Sequence, residues 1–183
     1  EGPEFMPQTG KTENAIQFNY FMGDQLINIK YRDGRKNFKL FKGAEKVFYN
    51  INSVVGYDWC VIVEGEMDVL ALHEAGIKNA ISVPNGATLN SNNLDYLDNC
   101  IDYLDDKTKI ILAVDADEAG QALRQEFIRR LGAEVCYLVD FNGQKDANEY
   151  LIENGAEKLR NAIHTSSQVP LEGVTTLYDI HDE

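Results

Sequence analysis

The sequence predicts an α/β protein in which a parallel sheet of about four strands is flanked by helices and preceded by a small basic β-hairpin. Short apolar segments alternate with helical patterns from residue 59 onwards, and strands that alternate with helices build parallel sheets. Two of these segments end abruptly in carboxylates, Glu64 in one case and Asp115 and Asp117 in the other. The hairpin is predicted by two alternating stretches on either side of Asp33-Gly34.

The composition is that of a globular chain with an uneven charge distribution. Its 183 residues are 44% hydrophobic, which is enough for one domain with a proper core. The net charge is −13, but residues 30–46 hold seven basic and two acidic side chains, a net +5, which leaves −18 for the remainder. A basic piece joined to an acidic piece does not exclude a nucleic-acid partner.

Cysteine, histidine and hydropathy patterns exclude several classes. We expect Cys60, Cys100 and Cys136 to be buried thiols of a reduced protein, because they lie far apart and two fall in predicted strands. The three histidines have no ligand spacing with them, so no zinc site is predicted. No apolar run approaches the ~18 residues of a membrane span, and no secretory signal is visible. We therefore expect a cytoplasmic protein without a membrane partner.

The first part of the chain is expected to be simple. Residues 1–5 resemble a remnant of an expression vector, so no element is predicted there. Residues 7–17 are polar without a clear period and are predicted to be irregular. Strands are expected at 26–31 and 36–41, joined by a type I′ turn at Asp33-Gly34.

The faces and surroundings of the hairpin are also predicted. The apolar face of its first strand would carry Ile27, Ile29 and Tyr31, and the polar face Asn28 and Lys30. Taken alone, the lysines could simply protect a solvated edge strand from aggregation. Residues 47–55 are mixed, with these expected anchors: Phe48, Tyr49, Ile51 and Val54.

The second unit has a regular rhythm of strands and helices. Strands are predicted at 59–63, 80–83, 109–114 and 134–139. Helices are predicted at 67–74, 92–104, 118–131 and 147–153, with a further helix ending at 163. In the first of these helices Met67, Leu70 and Ala71 are expected to face the sheet. Residues 165–170 look like a linker, and residues 171–180 could begin another element.

The strand-end carboxylates are predicted to meet. Right-handed crossovers place the carboxyl ends of parallel strands on one edge, where such sheets bind ligands. Glu64, Asp115 and Asp117 should therefore converge there. Asp68, in the first turn of the following helix, and Asp146, after the last strand, are further candidates.

Oxygen ligands without histidine or cysteine favour Mg²⁺ or Mn²⁺, and Mg²⁺ commonly shares its site with substrate phosphates. The same acids have simpler explanations. Asp68 could interact with a helix dipole, and Asp117 and Asp146 could cap the helices that follow them. The joint placement at one edge favours a metal site most strongly for Glu64, Asp115 and Asp117.

Two segments resemble the Toprim domain, which is shared by primases, topoisomerases, recombination mediators and some nucleases. They read Val63-Glu-Gly-Glu-Met-Asp68 and Ala113-Val-Asp-Ala-Asp-Glu-Ala-Gly120. Lys145-Asp-Ala-Asn-Glu149 and the basic hairpin are similar to features of bacterial and phage-type DNA primases, specifically the fused primase–helicases of phage and mitochondrial type.

The resemblance implies a division of the chain. Residues 6–57 would be a remnant of the primase N-terminal subdomain, 58–164 the Toprim domain, and 165–183 a linker toward a missing C-terminal helicase domain. No cysteine-rich zinc module and no helicase nucleotide-binding loop accompany them.

The resemblance also implies an activity. It is Mg²⁺-dependent synthesis of short RNA primers from ribonucleoside triphosphates on single-stranded DNA, in a bacterial or phage replisome. Glu64 would act as metal ligand or general base, and Asp115, Asp117 and Asp146, with Asp68, would hold metal ions. Basic side chains of the hairpin would contact nucleotide and template: Lys30, Lys36, Lys39 and Lys42. The alternatives are a Toprim nuclease and a non-catalytic DNA-binding module.

Overall fold

The computed structural model describes residues 1–87 and 94–170, which form two sheets and their flanking helices. The first sheet is antiparallel in the order β1-β2-β3-β4, and the second has the order β6-β5-β7-β8-β9. The expected α/β unit is confirmed, whereas the small hairpin expected before it belongs to a larger sheet. The predicted tail element at 171–180 lies outside the described residues.

The first sheet is larger than the predicted hairpin. Its strands are β1 (Gly2–Met6), β2 (Lys11–Met22), β3 (Gln25–Asp33) and β4 (Phe38–Leu40). The expectation that residues 7–17 are irregular is wrong, because most of them belong to β2. Residues 1–5 do enter the fold, since β1 pairs with β2 along its whole length and Met6 is fully buried. Cross-strand pairing overrides the weak local pattern here.

The turn between β3 and β4 differs from the predicted type I′ turn. Asp33 and Asn37 close a three-residue loop, in which Lys36 rather than Gly34 has a positive φ of 63°. The Asp33 carboxylate accepts hydrogen bonds from the backbone N–H groups of Arg35 and Asn37. These bonds also lower the pKa of Asp33, with the side-chain amide of Asn37 making the largest contribution. An aspartate that binds its own loop thus replaces the tighter turn.

The buried face of β3 is the polar one. Asn28 and Lys30 are 4% and 7% exposed, and they pair with Tyr20 and Phe18 of β2. This face packs onto the second unit, where Lys30 finds an acidic partner. Alternation alone identified the two faces but not which of them is covered.

The link between the units is short and buried. Phe48, Ile51 and Val54 are fully buried, as predicted, and a 3₁₀ turn spans Ile51–Val54. Tyr49 forms an isolated antiparallel bridge with Ser82, and its ring makes edge contacts with Phe18 and Tyr20. The two sheets therefore share one hydrophobic cluster.

The second sheet is parallel in four strands. They are β5 (Trp59–Val63), β6 (Ala80–Ser82), β7 (Lys109–Leu112) and β8 (Cys136–Leu138). A fifth strand, β9 (Ser167–Gln168), pairs antiparallel with β8. The predicted linker at 165–170 therefore contributes an edge strand, which two polar residues without a period could not signal.

The helices follow the prediction with two exceptions. Their bounds are α1 (Glu66–Glu74), α2 (Asp95–Asn99), α3 (Glu118–Leu131), α4 (Ala147–Asn154) and α5 (Ala156–His164). The helix predicted at 92–104 is shorter and continues as a 3₁₀ turn at Ile101–Tyr103, with Ile101 41% exposed. The predicted inner face of α1 is wrong in part, because Leu70 is 45% exposed while Glu66 and Asp68 are buried.

All three cysteines are buried and free, as predicted. Burial raises the pKa of the Cys60 thiol to about 12. Among the described residues no helix has the length and apolar character needed to cross a bilayer.

Candidate metal centre

The carboxyl ends of β5 and β7 bring Glu64 and Asp115 together, as the sequence predicts. Glu64 accepts a hydrogen bond from the backbone N–H of Asp115 at 3.0 Å through Oε1. Its other oxygen accepts from the N–H of Ala87 at 3.2 Å. Burial raises the pKa of Glu64, and the nearby charge of Asp115 adds to the effect. Two backbone N–H groups therefore hold the Glu64 carboxylate in place.

Gly120 lets the N-terminal turn of α3 approach this pair. A β-carbon at this position would lie 2.2 Å from the Asp115 carbonyl oxygen and 2.6 Å from Glu64 Oε1. The backbone could not keep its place with any larger residue there. Gly120 thus shapes the acidic edge without offering a functional group.

A tight group of acids consists of Asp68, Asp115 and Asp146, each with a carboxylate oxygen within 4.8 Å of the others. Asp68 and Asp146, the weaker candidates from sequence, join Asp115 in it. Glu64 and Asp117 lie beside this group and are not members of it within the described residues. All five predicted acids therefore lie at one edge of the sheet. Three of them form the group, and Glu64 and Asp117 lie beside it.

The environments of Asp68 and Asp115 disfavour negative charge. Burial raises the pKa of Asp68 to about 7, and Asp146 is the next cause. Burial also raises the pKa of Asp115, although Lys145 opposes this effect. Three oxygen ligands at this spacing, with neither histidine nor cysteine, fit a hard divalent cation, whose charge would stabilise the ionised carboxylates.

The capping roles considered from sequence are also present. Asp117 accepts from the N–H of Gly120 at 3.0 Å, and Asp146 accepts from the N–H of Glu149 at 2.8 Å. The bond from Gly120 lowers the pKa of Asp117. Asp68 accepts from the N–H of Asn148 at 3.0 Å rather than from its own helix. Capping and metal binding are compatible, because each bond orients a carboxylate that keeps a second oxygen.

Lys145 is a site residue that sequence reasoning quoted only as part of a motif. Its Nζ lies 2.9 Å from Asp115 Oδ2 and 3.5 Å from Asp117 Oδ2. The Asp115 carboxylate is the main reason why the pKa of Lys145 is raised. The ammonium group thus neutralises part of the acidic edge, and its position one residue before Asp146 was the available signal.

The first sheet closes one side of the site. A cavity of about 700 Å³ is lined by Glu64, Asp68, Asp115 and Asp146 together with Lys30 and Lys36. Basic side chains of the hairpin therefore face the acidic edge across this cavity.

Lys30 is held inside the interface. Its Nζ donates to Glu66 Oε1 at 2.8 Å and to the Pro84 carbonyl at 3.0 Å, and Tyr20 donates its hydroxyl to the same Glu66 oxygen. The ion pair is nearly inaccessible, with side chains 8% and 3% exposed. Glu66, which sequence analysis did not single out, is the acidic partner that allows this lysine to be buried.

The other predicted lysines differ in their surroundings. Lys36 is exposed at the cavity. Lys39 forms an ion pair with Glu4 and donates to the Phe5 carbonyl at 2.9 Å, which joins the outer strands β4 and β1. Lys42 is exposed beyond β4. The structure therefore brings Lys30 and Lys36 to the acidic edge but not Lys39 or Lys42.

Known sequences resemble this chain along most of its length. A Toprim-like family model matches residues 61–151. The Primase homolog protein of Arabidopsis thaliana is 37% identical, in an alignment that covers 87% of this chain and 52% of that protein. The chloroplastic/mitochondrial Twinkle homolog protein of the same plant is 34% identical, over 93% of this chain and 26% of the relative. The chain thus spans about half of the first relative and about a quarter of the second.

Solved structures resemble it as well. The primase fragment of the bacteriophage T7 primase-helicase protein superposes with a TM-score of 0.67 at 26% identity, covering 81% of this chain and 62% of that one. The RNA polymerase domain of Mycobacterium tuberculosis primase DnaG gives 0.66 at 15% identity, over 92% and 61%, which supports the fold alone.

The sheet order, the acidic edge and the family match define residues 61–151 as a Toprim-like domain. The chain as a whole is similar to proteins named as primases or primase homologs, among them the Arabidopsis Primase homolog protein and the T7 primase fragment.

Proposed function

We propose that this chain is the catalytic core of a DNA primase, which joins ribonucleoside triphosphates into short RNA primers on single-stranded DNA. The main support for this proposal is the group of Asp68, Asp115 and Asp146, which opens on a cavity shared with Lys30 and Lys36. Carboxylates that can hold a divalent ion beside basic side chains suit a substrate that carries phosphates.

Asp68, Asp115 and Asp146 would hold the ion, with Asp117 at the border of the site. When bound, Mg²⁺ or Mn²⁺ neutralises charge on the triphosphate and favours in-line displacement. The hydrogen bonds from Asn148 and Glu149 keep two of these carboxylates in place before any ligand arrives. Preorganised ligands reduce the reorganisation that binding requires.

We assign the role of proton acceptor to Glu64. Burial raises its pKa, so its carboxylate is a better proton acceptor than an exposed glutamate. In the proposed step, Glu64 takes the proton of the attacking 3′-hydroxyl, the oxygen attacks the α-phosphorus of the incoming nucleotide, and pyrophosphate leaves. The backbone N–H groups of Ala87 and Asp115 orient the carboxylate for this transfer.

We assign contacts with the substrate phosphates to the basic side chains of the first sheet. Lys36 and Lys42 are exposed and would contact nucleotide or template, and such contacts weaken as salt concentration rises. Lys39 would join them if its ion pair with Glu4 opened. Lys30 has two hydrogen-bond acceptors already, so it would mainly position the lysine-bearing sheet against the acidic edge.

The full-length protein is proposed to act in a cytoplasmic replisome of bacterial or phage type. One similar solved structure carries a name that joins the two activities, the primase fragment of the bacteriophage T7 primase-helicase protein. A replicative helicase domain, fused to this core through the segment after residue 165, is therefore the proposed partner.

A priming assay tests the proposal. The chain is incubated with single-stranded template, ribonucleotides and Mg²⁺ or Mn²⁺, beside Glu64→Gln and the matched control Glu74→Gln, a change at an exposed residue of α1. We expect short RNA products from the parent and from the control, and a loss of about 100-fold or more in Glu64→Gln.

Two other outcomes contradict the proposal. Metal-dependent shortening of the template would identify a nuclease that uses the same acids. DNA binding without RNA synthesis or template cleavage, both in this chain and in the proposed full-length protein, would identify a non-catalytic binding module.

A further inference from the structure

A second cavity lies on the other side of the acidic edge, away from the basic sheet. It measures about 450 Å³ and is bounded by the ends of β7 and β8, the first turns of α3 and the end of α5. Its lining includes Val114, Ala116, Gln121, Arg124, Gln144 and Thr165. Ala116 lies between Asp115 and Asp117, so the loop that carries these acids separates the two cavities.

Arg124 lines this cavity, and within the described ranges no carboxylate forms an ion pair with it. Among residues 1–87 and 94–170 the arginine ion pairs involve Arg129 and Arg130, not Arg124. Its Nη1 donates one long hydrogen bond of 3.4 Å to Gln121 Oε1. Its Nε is buried and has no partner in the described part of the chain.

The partial burial of Arg124 without such partners is energetically unfavourable. Burial of a charged group carries a cost unless an opposite charge or hydrogen bonds compensate for it. Burial accordingly lowers the pKa of Arg124, while the charge of Glu64 opposes the change. A guanidinium group without a protein counter-ion, on the wall of a cavity, favours a ligand that carries a phosphate or another anion.

Gln144 gives the cavity a second, different preference. Its Nε2 donates to Glu153 Oε2 at 2.8 Å, which fixes the side-chain amide. Its Oε1 is buried and accepts no hydrogen bond from the described residues. Asp140 also lines the cavity, but its Oδ1 already accepts from the N–H of Asn142 at 2.7 Å. An acceptor near the arginine suits a ligand with a hydroxyl or amino donor as well as a phosphate.

We propose that this cavity is a second nucleotide-phosphate site, in which Arg124 binds the phosphate and Gln144 accepts a hydrogen bond from the sugar or base. The inference rests on the proposed function, since it assigns a further subsite to the same nucleotide-handling edge. The phosphate could come from a free nucleotide or from a nucleic-acid strand, and a cavity of this volume takes a single nucleotide unit in either case.

Binding in the absence of metal tests the site. Uridine 5′-monophosphate and a short oligothymidylate are titrated separately into the chain in EDTA, with affinity followed by calorimetry and by amide shifts of α3. The test variant is Arg124→Gln, the charge-retaining variant is Arg124→Lys, and the control is Arg129→Gln, which changes an exposed arginine on the same helix. Thermal unfolding confirms that each variant folds.

We expect the parent and Arg129→Gln to bind at least one probe equally well. Arg124→Gln should bind it at least tenfold more weakly, and Arg124→Lys should lie between them. The probe that binds more tightly identifies the source of the phosphate. Binding that is absent in the parent, or unchanged in folded Arg124→Gln, overturns the proposal. Because neither template copying nor metal is involved, phosphate binding with no primer synthesis would count against the proposed function and not against this site.

Discussion

Glu64 Oε1 accepts a hydrogen bond from the backbone N–H of Asp115 at 3.0 Å. This bond ties the residue after β5 to the loop after β7, so two segments 51 positions apart in sequence share one acidic edge. The bond is made by the backbone of Asp115, which leaves its carboxylate to join Asp68 and Asp146. One residue therefore orients the proposed base and supplies a proposed metal ligand.

Gly120→Ala is expected to disturb this relationship. The new methyl group would lie 2.2 Å from the Asp115 carbonyl oxygen, so α3 or the acidic loop must shift. We predict a loss of about 1–3 kcal/mol in the free energy of unfolding and about a 100-fold loss of priming. Priming kinetics and urea unfolding measure both effects. The control is Gly34→Ala, where a β-carbon meets open space and φ is not positive. Equal behaviour of the two variants would contradict the close approach of α3.

Asp68→Asn is expected to stabilise the metal-free protein at neutral and higher pH. Burial raises the pKa of Asp68 to about 7, well above the value of an exposed aspartate, so the folded state binds its proton more tightly than the unfolded state. The free energy of unfolding should therefore fall as pH rises from about 4 to about 7.

The variant removes that slope, and we expect it to be about 2–4 kcal/mol more stable than the parent at pH 8 in EDTA. Urea unfolding across this pH range checks the prediction, with the exposed Asp105→Asn as the control. A parent whose stability rises with pH through this window, or an unchanged slope in Asp68→Asn, would rule out the assigned burial effect.

Lys145→Ala is expected to increase the affinity for Mg²⁺. The ammonium group lies 2.9 Å from Asp115 Oδ2 and competes with any other cation for that oxygen. We predict a gain of about threefold or more in a calorimetric Mg²⁺ titration without nucleotide. Lys158→Ala, at an exposed position of α5, should leave the affinity unchanged. Weaker Mg²⁺ binding by Lys145→Ala would show that the lysine supports the centre rather than competing for it.

Lys30→Met is expected to destabilise the protein through the charge that it leaves behind. Glu66 is 3% exposed, and without the lysine only the Tyr20 hydroxyl would contact its carboxylate oxygen from the first sheet. Loss of one partner of a buried ion pair typically costs about 3–5 kcal/mol.

Lys39→Met is the matched control. Its ion pair with Glu4 is about a quarter exposed, so we expect a loss below about 1 kcal/mol. Adding Glu66→Gln to Lys30→Met should restore much of the lost stability. Chemical unfolding of all three variants measures these effects. Equal losses of unfolding free energy in the two single variants would show that the buried pair of Lys30 and Glu66 stabilises the protein no more than the exposed pair does.

The sequence was sufficient to predict the elements of the parallel unit but not those of the first sheet. The strand at Trp59–Val63 and the helix at Glu118–Leu131 have the predicted bounds, because buried apolar runs and a capped helix are local signals. The strand at Lys11–Met22 was missed, because its pairing with distant strands decides its conformation. The sequence also did not indicate which face of β3 is covered, since that depends on Glu66 in another element.

The candidate site shows the same division. Strand ends placed Glu64 and Asp115 at one edge without any structural information. The grouping of Asp68 and Asp146 with Asp115 needed the orientation of α1 and α4, which the hydrogen bond between Asp68 and the N–H of Asn148 reports. The contact of Lys145 with Asp115 likewise depends on a loop whose shape has no sequence period.

We infer that Asp68, Asp115 and Asp146 form the divalent-ion centre on which primer synthesis depends. Anomalous scattering from crystals soaked in Mn²⁺ would locate the ion. We expect a manganese peak among these three carboxylates, and the loss of both the peak and priming in Asp146→Asn. Manganese bound at other acids, or priming by a protein with no ion at these three carboxylates, would show that the assigned centre is wrong.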